Sequence, residues 1–425
     1  MINREIAPTI RNIDKPLFIP PEKRTLDNGV PLFLLHAGTQ EVCKIDFIFK
    51  AGTWQQEVQL QAAMCNAMLQ EGSQQYSAAQ TAEIMDFHGA YLQLMADQHY
   101  GTVSLISLTR HLPRLLPVVE DFLKNPLFPE NEFETLVQRR KQRFLLENEK
   151  VKVLCQKKFS ELLFGDGHPY AQTVKKEDFD SLQLQSLIDF HRHFYHAGNC
   201  EILVAGRFDE GLTELINRYF GGSDWKQEPA EPATFQPSNS PTKLLHVSKP
   251  DAIQSAIRVG KILVGKEHPD YLPLQILVTL LGGYFSSRLM ANIREEKGYT
   301  YGIGASFFSL NEAGYLTIAT EVDKSYEKAT LNEIFHEIEL LCQQPVSDDE
   351  LERVRQYLLG EFIRDLDGPF ALAQTFRNVH DFGLNYRFYD DYYQTLLHVS
   401  PSQLMRLAKT YFTADSFYTV IAGKN

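Results

Sequence analysis

The segment LQLQSLIDFHRHFYHAGNCEILVAG (182–206) aligns without a gap on VSPSQLMRLAKTYFTADSFYTVIAG (399–423). Leu187 falls on Leu404, Phe194 on Tyr411, and Ala205-Gly206 on Ala422-Gly423. Further upstream, ENEFETLVQRRKQRF (130–144) falls on DDELERVRQYLLGEF (348–362) at nearly the same offset. A period close to half the chain is a whole domain, far longer than the roughly 20–50 residues of a solenoid unit. The chain is therefore read as a tandem duplication. Between the copies, GGSDWKQEPAEPATFQPSNSPT (221–242) holds four prolines and little periodicity, which suits a linker. The expected division is a first domain at 1–220, the linker at 221–242 and a second domain at 243–425.

Within the first copy, residues 1 to about 22 form a Pro-containing arm. Asn28-Gly29 signals a hairpin turn before a strand, and KIDFIFK (44–50) alternates as a half-buried strand. Helices are expected over 77–89, 112–124, 130–149 and 182–195, with strands over 91–95, 102–108 and 201–205. Helices and strands come in blocks, without strict β-α-β alternation, so the fold class is α+β.

Composition narrows the function classes. A net charge of -12 argues against a nucleic-acid partner, because neutralising phosphates takes clustered Lys and Arg. No apolar run approaches the roughly 20 residues of a membrane helix, and MINREIAPTIRNIDKPLFIPPEK has no apolar core of a secretory signal. The five cysteines (Cys43, Cys65, Cys155, Cys200, Cys342) are scattered and lack C-x-x-C spacing. That pattern fits reduced thiols, so a cytoplasmic location is expected.

The stretch VQLQAAMCNAMLQEG (58–72) reads as one helix with hardly any polar face, ending at Gly72. Together with the following GSQQYSAAQTAEIMDFHGAYLQLMADQHYGTVSL, it resembles the first domain of the insulinase and mitochondrial processing peptidase family. The resemblance implies two similar domains, each a mostly antiparallel sheet with helices packed on one face. It also implies that two such halves face each other across a cleft that holds an extended peptide.

In that family the helix carries H-x-x-E-H, in which two histidines at i and i+4 bind zinc and the Glu activates water. Aligning Met68-Leu69-Gln70-Glu71-Gly72-Ser73 on the family's tail puts the motif on Ala63-Met64-Cys65-Asn66-Ala67. The ligand positions Ala63 and Ala67 then offer no lone pair, and Asn66 is an amide that cannot act as a base. The family's third ligand, a downstream Glu, falls in LLENEK (145–150), where Glu147 or Glu149 could hold the position. One carboxylate without two histidines is a poor zinc site. No metal is therefore expected in this chain, and no catalytic residue.

Other chemistry is sparse. The thirteen histidines contain no i, i+4 pair; His191, His193 and His196 read as surface or capping residues, His168 as structural, and His88 and His99 as single turn residues. GIGASF (302–307) follows a helix and enters a strand, unlike a dinucleotide loop, and Cys65 reads as core filler.

The second half holds LLGGYFSSRLMANIREEKGYTYGIGASF (280–307), the stretch most similar to the family. There the resemblance implies an Arg and a Tyr seven residues apart that reach the substrate backbone, and Arg294 and Tyr301 match them. An Arg fork and a Tyr hydroxyl suit a peptide carbonyl or a developing oxyanion. Their alternative roles are an Arg paired with Glu295 and Glu296 on an exposed helix, and a Tyr in the core. The resemblance implies a non-catalytic, zinc-free subunit of a heteromeric peptidase. Its partner would be a paralogous chain with intact H-x-x-E-H and the zinc, or a second copy of this chain, and its substrate an unstructured peptide. Two other readings stay open: a peptide-binding scaffold without catalytic role, and a metallopeptidase with non-standard ligands.

Overall fold

Two sheets of matching strand order organise the chain, in a computed structural model that describes residues 15–225, 234–238 and 240–424. Residues 1–14 of the expected arm, and 226–233 and 239 of the expected linker, lie outside the described residues. The first half runs β1 (Glu22–Thr25), β2 (Pro31–His36), β3 (Val42–Phe49), α1 (Gln61–Met68), α2 (Ala78–Phe87), β4 (Tyr91–Ala96), β5 (Gly101–Leu108) and α3 (Leu112–Lys124). It continues with α4 (Glu130–Asn148), α5 (Val151–Phe164), α6 (Lys176–Ser181), α7 (Leu184–Phe194), β6 (Cys200–Gly206) and α8 (Gly211–Phe220). The second half repeats the pattern as β7 (Leu244–Ser248), β8 (Ser255–Leu263), α9 (Tyr271–Val278), β9 (Ile303–Leu310), β10 (Ala313–Val322) and α10 (Glu327–Gln343). It closes with α11 (Asp348–Arg364), α12 (Pro369–His380), α13 (Arg387–His398), α14 (Pro401–Tyr411) and β11 (Tyr418–Gly423).

The first sheet is ordered β1-β2-β6-β3-β5-β4 and the second β7-β11-β8-β10-β9. Matching β2 with β7, β6 with β11, β3 with β8, β5 with β10 and β4 with β9 makes the orders coincide, with β1 as the extra edge. The β2–β6 and β7–β11 pairs are parallel, and the remaining pairs are antiparallel. The mixed α+β duplication is thus the fold of the chain.

Strand alternation decides what each face meets. On β3, Ile45, Phe47 and Phe49 are fully buried against the first half's own helices, while Ile48 turns to the opposite face. That opposite face carries Phe33, Leu35, Leu203 and Ala205, and it is covered by Leu372, Ala373 and Phe376 of α12. The second sheet mirrors this. Its own helices cover one face, and α5 of the first half lays Cys155, Phe159 and Leu163 against Ala256, Val420 and Ala422 on the other.

The two halves have exchanged corresponding helices, each the one that follows the long charged helix of its repeat. Sheets buried on two faces need near-continuous apolar strands. This explains why β6 (CEILVAG) and β11 (YTVIAG) show almost no polar alternation. The arm adds a further tie: Phe18 stacks on Tyr389 at 5.0 Å, and Lys15 pairs with Asp390 at 2.6 Å.

Candidate functional site

The helix expected over 58–72 is shorter, because Leu60 takes a left-handed conformation (φ 72°) and starts α1 at Gln61; a 3₁₀ turn over Leu69–Glu71 finishes it. The helix packs against α7 and against β4, the edge strand of the first sheet. All its residues but Ala63 are buried. Asn66 is 1% exposed, and its Nδ2 donates to the Tyr195 hydroxyl at 3.1 Å. The Tyr195 ring in turn stacks on His191 at 5.5 Å.

A zinc ion takes lone pairs from Cys, His, Asp or Glu. Ala63 and Ala67 have none, and the Asn66 amide already donates to a buried neighbour. Cys65 is fully buried, and burial pushes its thiol pKa well up, away from thiolate chemistry. Among the described residues no three His, Cys, Asp or Glu side chains gather closely enough to hold a metal ion. The residues of α1 therefore do not fit zinc.

Glu147 and Glu149 stand at the end of α4. Lys150 holds Glu147 at 2.7 Å and pulls its pKa below the usual carboxylate range, while Glu149 pairs with Lys249 at 3.2 Å. Of the histidines read as surface or capping residues, His191 and His196 are capping ones. His191 and His196 are buried, at 8% and 4% exposure. Each hydrogen-bonds a backbone carbonyl, of Leu123 at 2.9 Å and of His193 at 3.0 Å. Both carbonyls belong to the last turn of a helix, α3 for His191 and α7 for His196, while the buried His196 Nδ1 has no hydrogen-bond partner among the described residues.

Arg294 and Tyr301 are brought together in the second half. Arg294 lies on a wide, π-type helical turn over Met290–Glu296, a distortion often found at functional sites. Gly298 (φ +66°) reverses the chain in a conformation that side chains rarely adopt, and the backbone returns past Tyr301 into β9. Arg294 Nε donates to the Tyr301 carbonyl oxygen at 3.0 Å, and its guanidinium lies 4.8 Å from the centre of the Phe285 ring. One nitrogen approaches Glu295 only at 3.9 Å.

The Tyr301 side chain is 95% exposed, so it fills no core. Phe285, 62% exposed, completes the group. Sequence reasoning missed it, although its place in YFSSR, beside the family-like segment, was a usable signal. The arrangement presents a fixed cation, a phenol and an exposed ring at the start of β9, which is the edge strand of its sheet.

Two family models match the chain. The model described as Insulinase (Peptidase family M16) covers residues 33–163, and that described as Peptidase M16 inactive domain covers residues 181–358. Between them they span more than half of the sequence. The chain belongs to the insulinase family of peptidases, M16. An uncharacterized zinc protease of Bacillus subtilis is 21% identical over 407 residues, 94% of this chain and 98% of that one. Among solved structures, a peptidase M16 inactive domain from Pseudomonas fluorescens matches with TM-score 0.86 at 21% identity, covering 95% of this chain and 98% of that one. A protease from Helicobacter pylori matches with TM-score 0.86 at 19% identity, covering 96% and 100%. At these identities the structural likeness speaks for the M16 fold. Among the described residues no helix is long and apolar enough to cross a membrane.

Proposed function

We propose that this M16 chain is the zinc-free subunit of a heteromeric peptidase. In this reading it binds an extended peptide and lends Arg294 and Tyr301 to the active site of a partner subunit. The observation that carries the proposal is a contrast between the two halves. Positions 63, 66 and 67 of α1 offer no metal ligand and no base, while Arg294 and Tyr301 are held together and open to solvent.

Both half-sites adjoin unpaired strand edges, β4 beside α1 and β9 after Tyr301, which supports binding by strand addition. The partner is a paralogous chain carrying H-x-x-E-H, which supplies the zinc. The cysteines are free thiols, four of them buried, which supports a cytoplasmic setting.

Elemental analysis of the untagged chain tests the first half of the proposal, and less than about a tenth of a zinc per chain is expected. Stoichiometric zinc would overturn it. Co-purification identifies the partner. In the reconstituted complex, Arg294→Ala should lower turnover by about 10²-fold, the scale of losing one transition-state donor. Unchanged turnover with Arg294→Ala and with Tyr301→Phe would move the chain to a scaffold role.

A further inference from the structure

Beside Tyr301, which forms part of its wall, lies a cavity of about 280 Å³ that Arg294 does not line. Its walls come from both halves of the chain: Lys152 in the first turn of α5, Arg258 in the middle of β8, Glu321 on β10, and residues 300–302 where the backbone leaves the sheet before β9.

Arg258 is out of place by ordinary rules. It interrupts the largely apolar strand SAIRVGKIL beside a core contact, where Cys155 of α5 packs against the nearby Ala256 and Val420. Its guanidinium has five N–H donors. One, on Nη1, reaches the Thr317 hydroxyl at 3.3 Å, and among the described residues no carboxylate lies within ion-pair distance. Burial draws the Arg258 pKa below its ordinary value, the mark of a cation that has lost water without gaining a counter-ion.

Lys152 adds a second cation on the cavity wall, also without an ion pair among the described residues. It stands in the first turn of a helix of 14 residues, where the helix dipole favours anions. Glu321 is the one acid on the wall. It sits opposite Ala256 in the β8–β10 register, one step along from Arg258, and pairs with neither cation. The balance of the cavity is one positive charge with free donors.

We propose that this cavity is a carboxylate subsite, in which Arg258 and Lys152 grip an acidic group of the peptide that runs past Tyr301. The carboxylate is either the side chain of an Asp or Glu or the peptide's own C-terminus. The subsite rests on the peptide-binding reading above, and it adds a substrate class: acidic unstructured peptides. An arginine fork and a carboxylate match in geometry, and a partly buried guanidinium without a counter-ion gains from such a partner. The cavity is built jointly by α5 and the second sheet, so the exchanged helix places one of the two cations. A peptide bound there touches both halves at once.

The test measures binding of fluorescent unstructured peptides to the full chain by anisotropy, in matched sets: Glu-containing, the same with Gln, and each with a free or amidated C-terminus. The expected result is roughly tenfold or tighter binding of the peptide that carries the recognised carboxylate. The Gln arm and the amide arm distinguish side chain from C-terminus. Arg258→Met should erase that preference while leaving the neutral peptide's affinity unchanged. Lys152→Gln, at an exposed position that folding tolerates, should reduce it by a few-fold.

Equal binding of all four peptides overturns the subsite and leaves the peptide-binding reading standing. If no peptide binds, glutarate serves as the probe. Thermal stabilisation of the wild type, absent in Lys152→Gln and Arg258→Met, upholds the subsite and removes the peptide reading. No stabilisation overturns the subsite as well.

Discussion

Leu316 is fully buried on β10, in the core that the second half makes with its own helices. Truncation to Ala removes a Leu side chain from a site closed on all sides, which costs about 3 kcal/mol, within the range for buried Leu→Ala changes. Both tryptophans, Trp54 and Trp225, belong to the first half. Their fluorescence therefore reports on the part of the molecule that Leu316 does not touch.

If the exchanged helices make the halves one cooperative unit, urea unfolding followed by tryptophan fluorescence should move with the mutation. The urea slope grows with size, so for one unit of this length it is about 5 kcal/mol per molar, and the midpoint should fall by about 0.6 M. Far-UV circular dichroism should give the same midpoint. The opposite outcome is equally specific: a fluorescence transition that stays where it was, beside a circular dichroism curve that splits in two. That result would refute the coupling inferred from α5 and α12, and would make each half an independent folding unit.

Three further predictions address the first half and its border. Tyr195→Phe leaves the buried Asn66 Nδ2 without its acceptor, and thermal or urea denaturation should show a loss of about 1–2 kcal/mol. Burial holds the His191 pKa down, to about 4, so the folded protein refuses a proton that the unfolded chain accepts below about pH 6.5. Stability should therefore fall as the pH drops from about 6.5 toward 4, by about 3 kcal/mol from this residue; His191→Gln should flatten that slope in a pH series of urea melts. Glu201 is held below the usual carboxylate range: burial opposes this, but the hydrogen bond and charge of His380 at 2.7 Å outweigh it. That pair stabilises the α12 contact above about pH 4.5 and loses its contribution as Glu201 protonates below it. His380→Ala should leave urea stability near pH 3 less affected than at pH 6.

The duplication and the α+β class were legible because an aligned pair of 25-residue segments leaves few alternatives. The helices expected over 112–124 and 182–195 are present as α3 and α7. What escaped was long-range. No local pattern says that α5 leaves its own half, although the two-sided apolar strands β6 and β11 carried the signal that something covers their second face. Spacing alone did not single out Arg294 and Tyr301; the family resemblance did, and the tight reversal at Gly298 brings the two residues together. Arg258 was also visible, as one of two charges inside an otherwise apolar strand, but its lack of a counter-ion is a property of neighbours that sequence does not order. His191 and His196 cap helix ends, one of the two roles read for them, but their burial is again a property of neighbours that sequence does not order.

The crossing of α5 and α12 carries a consequence for how such a chain could arise. A single ancestral half, folded alone, would leave one sheet face bare and one helix without a seat. Two copies would solve both problems by trading helices, which is the geometry of a domain-swapped homodimer. Joining the copies end to end converts that dimer into the present chain without moving any element. In that history the join falls between Trp225, which belongs to the first core, and β7, and the matched strand orders on either side would record the dimer's symmetry.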